Sequence, residues 1–208
     1  MSRILVVGVD HFIQNLRSRC QTGEDKGNEN KQREALKSRL EDLIVSREVQ
    51  LVAEEATPDG ACLGKLLSAA HACKYCDLTM RPEERERRGI KDDYNVSVES
   101  RRVAYRTFEE YMFEVVQRSR QKATSILIIC GSYHAKNVAQ LFLNVGDEVM
   151  VEDTTSAPWY RGHWEFLKSM EDDTPFRAGV RKGTEQADRG EFIEEEEMDA
   201  RVKRMFEP

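Results

Sequence analysis

Short runs of apolar, mostly β-branched residues constrain the fold of this chain more than any other feature. Ile4–Val9 and Ile126–Cys130 contain no charged side chain, and Val49–Ala53 contains a single polar residue. A strand with one face in water alternates apolar and polar residues, whereas a strand buried on both faces is apolar throughout. The runs therefore predict central strands of a parallel sheet.

The segments between the runs have the residue spacing of amphipathic helices. Apolar residues recur there three or four positions apart, as in Leu36, Leu40, Leu43 and Ile44. Neighbouring parallel strands need crossover connections, which are usually helices. We therefore predict one α/β domain over residues 1–168, with a mainly parallel sheet of four to five strands and helices on both faces in a Rossmann-like, three-layer arrangement.

The sequence also makes predictions for three further segments: a loop, a helix start and a tail. Residues 20–30 have no large apolar side chain that could offset the entropy of ordering them, so we expect a mobile loop there. Pro58 and Asp59 are typical of a helix start, with Asp59 as the N-cap. Residues 169–208 are strongly charged and predict a flexible or peripheral helical tail.

Composition restricts the classes of function. A net charge of -6 disfavours broad electrostatic binding of nucleic acid, and no run approaches the roughly 18 apolar residues of a membrane span. Five cysteines form no disulfide-like framework, and the Cys73–Cys76 pair lacks the second pair that a structural zinc needs. We expect reduced thiols, a cytoplasmic location and no membrane association, and the sequence is compatible with an oligomer.

Polar residues follow the predicted strands at the points where each one ends. Strand one leads into Asp10 and His11, strand two into Glu54 and Glu55, and the strand at 126–130 into Tyr133 and His134. The carboxyl ends of parallel strands share one edge of the sheet, where ligands of such folds bind. We therefore expect His11, Glu54 or Glu55, and His134 to lie close together, with Asp10 and Tyr133 beside them as substrate-binding residues.

The two histidines stand in the same local pattern, Gly-x-x-His, beginning at Gly8 and at Gly131. The chain has only four histidines, so this repetition favours a shared role. In this interpretation each glycine lets the chain turn tightly off its strand and the histidine then projects into the crevice. The alternative is that each histidine is a partly buried or helix-capping residue and that the glutamates are solvated strand-end charges.

Two imidazoles and a carboxylate suit two kinds of chemistry. They form a mixed ligand set for a divalent ion such as manganese, cobalt or zinc, which would acidify a bound water. Without a metal, one histidine oriented by a carboxylate would act as general base on water. Because adjacent strand residues point to opposite faces, no more than one of Glu54 and Glu55 should face the site.

The order of a strand ending in Gly-x-x-His, a strand ending in Glu and a late strand ending in Gly-x-x-His resembles the superfamily of TraB and PrgY proteins, TIKI metalloproteases, erythromycin esterases and ChaN haem-binding lipoproteins. The resemblance covers about Ile4 to Asp153 and implies His11, Glu54 or Glu55, and His134 as site residues. Metal-dependent hydrolysis is implied by the TIKI branch, histidine-based hydrolysis by the esterases and haem binding by ChaN. The chain lacks the membrane segment and the long helical insertion of larger members.

We also expect an arginine near a site of this kind, where it would hold an anionic substrate group. The candidates are Arg101 and Arg102. A solvated helix face is the alternative for both. Cys130 next to Gly131 could be a nucleophilic thiol, but its place in an apolar run favours core packing.

The leading hypothesis is a metal-dependent hydrolase that acts on an ester, amide or related bond in a small-molecule or peptide substrate. The first alternative is a non-catalytic protein that binds a nucleotide or haem at the same edge. The second is a regulatory protein that contacts a partner through residues 171–208. The chain has neither G-x-G-x-x-G nor a Walker loop, which disfavours ordinary dinucleotide or P-loop binding.

Overall fold

The computed structural model describes residues 1–14, 23–56, 62–90 and 98–160. The predicted tail and its boundary at residue 168 lie outside these ranges. One or two helices connect each strand to the next, in the order β1 (Arg3–Val9), α1 (His11–Gln14), α2 (Gly23–Ser46), β2 (Leu51–Glu54), α3 (Leu63–Ala70), β3 (Lys74–Asp77), α4 (Pro82–Arg87), α5 (Val98–Ser119), β4 (Ser125–Gly131), α6 (Ser132–Asn144) and β5 (Glu148–Asp153). Among these described helices, none is long and apolar enough to cross a lipid bilayer.

The five described strands form one parallel sheet with the order β3-β2-β4-β1-β5. Helices cover both faces of the sheet, so the predicted three-layer α/β class is confirmed. The chain leaves β1 through α1 and α2 on one face and passes over β4 to reach β2. It leaves β4 through α6 on the opposite face and passes over β1 to reach β5. The connections that follow the neighbouring strands β1 and β4 thus run to opposite faces of the sheet. Open α/β sheets bind ligands in the crevice between two such connections.

The central strand β4 shows why the apolar runs have no polar positions. Ile126, Ile128 and Cys130 pack on one face of the sheet with α5 and α6, and Leu127 and Ile129 pack on the other with α2 and α3. All five side chains are fully buried. Alternation along the strand therefore distributes residues between two cores instead of between a core and water.

Helix α2 contradicts the predicted mobile loop over residues 20–30, because residues 23–30 are already helical. Glu29 is buried and forms an ion pair with Arg33 one turn later, while Arg33 Nη1 donates to Asn30 Oδ1 at 2.8 Å. Pairing of polar side chains stabilises this part of the helix. A rule that counts only apolar residues does not detect such stabilisation.

Helix α3 begins at Leu63, so the predicted N-cap at Asp59 is wrong. The N-cap is Cys62, whose side chain makes no capping hydrogen bond. The N–H groups of Gly64 and Lys65 instead donate to the carboxylate of Glu54, which belongs to β2. A long-range carboxylate thus replaces the local cap that the sequence suggested.

The two-core arrangement makes a direct prediction for α2. Leu40 is fully buried, whereas Val45 on the same helix is 62% exposed. We expect Leu40→Ala to lower the free energy of unfolding by about 2–5 kcal/mol, because it removes buried methyl groups and leaves a cavity. Val45→Ala should change it by no more than about 0.5 kcal/mol in the same urea titration. Equal effects of the two substitutions would contradict the assigned face.

Candidate functional site

The two histidines lie at the starts of the helices that follow the neighbouring strands β1 and β4. His11 is the first residue of α1, and His134 lies in the first turn of α6. The two Gly-x-x-His motifs are not in equivalent positions, because Gly8 pairs with Cys130 in the sheet and Val9 pairs with Gly131. The motifs are therefore offset by one residue along the strands.

Each glycine lets atoms of other residues approach its backbone closely, which corrects the prediction that the glycines form tight turns. Gly131 has φ -54° and ψ 139°, which any residue can adopt. A Cβ at Gly131 would lie 2.9 Å from His11 Nε2 and 3.5 Å from His134 Cδ2. Gly8 lies within β1, and a Cβ there would lie 3.0 Å from the Cα of Ser132. Both imidazoles therefore border the same small space at Gly131.

The Glu55 carboxylate borders this space and contacts both Gly131 and His11. Its Oε2 accepts a hydrogen bond from the Gly131 N–H at 3.0 Å and lies 3.4 Å from His11 Nε2. Burial raises the pKa of the Glu55 carboxyl, but the hydrogen bond and charge of His11, the Gly131 N–H and the charge of His134 outweigh burial, so the pKa is lower than usual. Glu55 is therefore an ionised partner of His11.

His11 is held as a cation in this pair. Burial lowers the pKa of its imidazole, but the hydrogen bond and charge of Glu55, the Gln14 side chain and the charge of Asp10 together raise it from 6.5 to about 9. Near neutral pH the imidazole therefore carries a proton on each nitrogen. Its side chain is 43% exposed, so the cation is accessible from solvent.

Gln14 fixes the orientation of His11. Gln14 Nε2 donates to Glu54 Oε1 at 2.8 Å and to the carbonyl oxygen of Glu55 at 3.0 Å. A backbone carbonyl is an acceptor only, so the amide nitrogen must face it and Gln14 Oε1 must face His11 Nδ1, at 2.7 Å. His11 therefore donates from Nδ1 to Gln14, and Nε2 is the atom directed at Glu55.

Glu54 has a structural role, in contrast to its prediction as a catalytic or metal-binding residue. It is fully buried, and each carboxylate oxygen accepts two hydrogen bonds: Oε1 from Gln14 and the Gly64 N–H, and Oε2 from the Lys65 N–H and the Tyr75 hydroxyl. Burial raises the pKa of this carboxyl, and the four hydrogen bonds oppose that shift. Glu55, not Glu54, faces the site.

His134 is oriented by a second buried carboxylate. Its Nδ1 lies 3.1 Å from Glu109 Oε1, and Asn137 Nδ2 donates to the same oxygen at 2.9 Å. The ring of Tyr105 contacts the imidazole edge-on, with ring centroids 5.3 Å apart. With Nδ1–H donated to Glu109, the Cδ2–Nε2 edge of His134 is the one directed toward Gly131.

The other predicted site residues lie at the margin or outside it. Asp10 Oδ2 accepts a hydrogen bond from the Tyr160 hydroxyl at 2.6 Å. Tyr133 is 84% exposed, and Arg102 lines a groove beside His134. The side chain of Arg101 lies outside the described residues. Cys130 is fully buried in the core and burial raises the pKa of its thiol well above the usual value, as expected for core packing.

Sequence reasoning missed Gln14 and Glu109, although each left a signal. Gln14 is one turn after His11 and therefore on the same side of α1. Glu109 is a charged residue in the apolar stripe of α5 that includes Met112 and Val116, all three being buried. A lone carboxylate on the buried face of a helix requires a partner, so a glutamate in an apolar stripe indicates a buried polar contact.

The donor chemistry of the site resembles that of metal sites, but its geometry does not fit one. Each imidazole has its Nδ1 held by a side-chain oxygen, which is common in metal-binding histidines. In the described part of the chain, however, no three His, Cys, Asp or Glu side chains are placed to hold an ion together. The raised pKa of His11 also means that a metal would have to displace a proton.

Comparisons of the chain with protein-family models, with curated proteins and with solved structures found no match in any of the three. The resemblance to the superfamily of TraB, TIKI, erythromycin esterase and ChaN proteins therefore stays a prediction from the motifs.

Replacement of Gly131 by alanine tests the close approach at the site. The backbone accepts alanine, but its Cβ would lie 2.9 Å from His11 Nε2, so the imidazole must move away from Glu55. We expect the pKa of His11, followed by NMR titration, to fall from about 9 toward 6.5. Gly27→Ala is the control, because nothing lies within 4 Å of that Cβ position. An unchanged titration in Gly131→Ala would contradict the geometry.

The His11–Glu55 ion pair also predicts a pH dependence of stability. A raised histidine pKa stabilises the folded state fully below pH 6.5, and this contribution is lost as pH rises through about 9. The lowered pKa of Glu55 makes its contribution present above 4.5 and lost as pH falls through the folded-state pKa. Urea unfolding of wild type and His11→Gln should therefore differ most between 4.5 and 6.5. If the difference in the free energy of unfolding between the two proteins stays constant up to pH 9, the ion pair does not contribute to stability.

Proposed function

We propose that this protein is a hydrolase of ester or amide bonds, with His134 as general base and His11 as the cation that stabilises developing negative charge. One observation carries the proposal. Two histidines, each with Nδ1 fixed by a side-chain oxygen, border Gly131 from two sides where the connections of β1 and β4 diverge. The described side chains support the metal-independent form of the hydrolase hypothesis.

The role of His134 follows from its partner. Glu109 holds the Nδ1–H, which leaves the lone pair on Nε2 to take a proton from water. The water oxygen then adds to the substrate carbonyl carbon, and the π electrons move to the carbonyl oxygen. When the tetrahedral intermediate collapses, the leaving alcohol or amine takes the proton back from His134. The products are a carboxylic acid and an alcohol or amine.

The role of His11 follows from its charge. Its pKa of about 9 keeps it protonated at neutral pH, and its Nε2 is 3.4 Å from Glu55. A charge-assisted hydrogen bond is usually about 2.7–2.9 Å long, so this N–H is held loosely. It is thus available to the oxygen of a tetrahedral intermediate, while Glu55 compensates the positive charge in the resting site.

A thiol nucleophile is not supported. Cys130 is the cysteine next to the site, and it is completely buried in the core beneath the sheet's edge. Burial raises the pKa of this thiol, so the thiolate required for attack is disfavoured. Water activated by histidine is the nucleophile that matches the described residues.

Substitution of Glu109 tests the proposal through the orientation of His134. We expect Glu109→Leu to lower kcat/KM for 4-nitrophenyl acetate by about 100-fold or more, because Nδ1 loses its acceptor. Glu109→Gln keeps the size of the side chain but should also lose activity, because its amide N–H can donate to Nδ1 and hold the wrong tautomer of His134. Glu114→Leu is the matched control, since Glu114 lies on the same helix, pairs with Arg88 and does not line the groove beside His134.

Two further controls make the test decisive. His71→Gln removes a histidine that pairs with Glu41 outside the site, so it should keep full activity, whereas His134→Gln should abolish it. A chelator should not change the rate if the side chains act without a metal. Equal rates for wild type and His134→Gln would refute the hydrolase, and a rate that requires added manganese, cobalt or zinc would refute its metal-independent form.

A cytoplasmic location and the nature of the substrate belong to the same proposal. The four described cysteines carry free thiols, which supports a reducing compartment. A small-molecule or peptide substrate is proposed because the site lies at an open edge of the sheet.

A further inference from the structure

A groove lies between α5 and α6, on the side of His134 where Glu109 holds its Nδ1. Its volume is about 490 Å³, within the range of small-molecule sites in proteins. Glu109 and Asn137 form part of its wall, and so does Tyr105, whose ring contacts the imidazole edge-on. Gly131, which borders the Nε2 edge of His134, is not among the described residues that line it. The groove is therefore a second site, separate from the edge of His134 that the proposed reaction uses.

One carboxylate oxygen in the wall of this groove lacks a hydrogen-bond donor. Glu109 Oε1 accepts hydrogen bonds from His134 Nδ1 and from Asn137 Nδ2, whereas no donor in the described part of the chain reaches Glu109 Oε2. The Glu109 side chain is only 7% exposed. A buried carboxylate oxygen without a donor is costly, and the groove is the space from which a ligand can supply one. The groove therefore favours a ligand that donates an N–H.

Two tyrosine rings lie in the same groove. Tyr133 is 84% exposed and Tyr105 is 47% exposed, so much of each side chain is open to a ligand. The face of an aromatic ring carries partial negative charge and attracts a cation such as an ammonium group. Leu141 adds an apolar surface to the lining. The rings, the carboxylate and the apolar surface together suit a protonated amine that has a hydrocarbon body.

The two arginines of the lining do not cancel this preference. Arg106 Nε donates to Glu110 Oε1 at 3.0 Å, and the Arg106 side chain is 81% exposed. Arg102 is exposed as well. Charges in contact with water are screened, whereas the buried carboxylate of Glu109 acts at short range in a medium of lower dielectric constant. The inner part of the groove therefore attracts a cation, although the charges of the lining sum to zero.

We infer that this groove binds a small organic ammonium ion, which donates to Glu109 Oε2, packs against Tyr105 and Tyr133, and regulates the site. The binding is independent of the proposed function, whereas the regulation rests on it. A cation on Glu109 adds positive charge behind the His134 imidazole and weakens the hold of the carboxylate on the Nδ1–H, so His134 becomes a weaker general base. The amine therefore lowers kcat and leaves KM unchanged, because the substrate lies at the other edge of the imidazole.

Binding is tested with hexylammonium and with hexanol, which has the same hydrocarbon chain and no charge. In ¹⁵N-labelled protein, hexylammonium should shift the backbone amide signals of Tyr105, Tyr133 and Asn137 and bind about tenfold more tightly than hexanol. Glu109→Gln should remove this difference, because the amide carries no charge.

Variants of α6 assign the binding to the groove. Tyr133→Ala should weaken hexylammonium binding about threefold, while Tyr133→Phe keeps the ring and the affinity. Leu143→Ala, at an exposed residue of the same helix that does not line the groove, should leave the affinity unchanged. An affinity that is unchanged in both Glu109→Gln and Tyr133→Ala would overturn the inference.

Hydrolysis of ethyl butyrate, an alkyl ester that amines do not attack at neutral pH, tests the effect on the reaction. We expect saturating hexylammonium to lower kcat about threefold with KM unchanged, and hexanol at the same concentration to change neither constant. Binding of hexylammonium that leaves kcat unchanged would overturn the regulatory role.

The two readouts separate this inference from the proposed function. Selective binding of hexylammonium by a protein that hydrolyses no ester would support the ammonium site and refute the hydrolase. Ester hydrolysis by a protein that binds hexylammonium and hexanol equally, or with no shift at Tyr105, Tyr133 and Asn137, would support the hydrolase and refute the ammonium site.

Discussion

The buried carboxylate of Glu54 joins the elements on which the site depends. It is fully buried and receives four hydrogen bonds, from α1, from the first turn of α3 and from β3. An ionised carboxyl without such donors would be too costly to bury, so the surrounding elements must lie where their donors reach it. Because Gln14 is one of the donors, the same constraint determines where α1 places His11.

The last residue of β2 and the residue that follows it thus have different roles. Glu54 faces the helix side and orients Gln14, whereas Glu55 faces Gly131 and interacts with His11. A continuous path of hydrogen bonds and one ion pair runs from Glu54 through Gln14 and His11 to Glu55. On the other side, Glu109 orients His134 in the same manner. Each histidine is therefore fixed from behind by a group that is itself buried.

Much of this arrangement could be predicted from the sequence. Apolar runs indicate strands buried on both faces, and the parallel order that follows brings His11, Glu55 and His134 to one edge. The function of each glycine could not be predicted, because the close contact at Gly131 comes from His11, 120 positions away in the chain. The partner of His134 was missed for a similar reason, since Glu109 belongs to a helix whose direction is known only after folding.

The most direct test of the account is the protonation state of each nitrogen of His11, observed by NMR in protein labelled with ¹⁵N-histidine. The account predicts that Nδ1 keeps its proton, donated to Gln14, and that Nε2 loses its proton as pH rises through about 9. Loss of the Nδ1 proton first, or a transition near 6.5, would show that Glu54 and Gln14 do not fix the histidine as described.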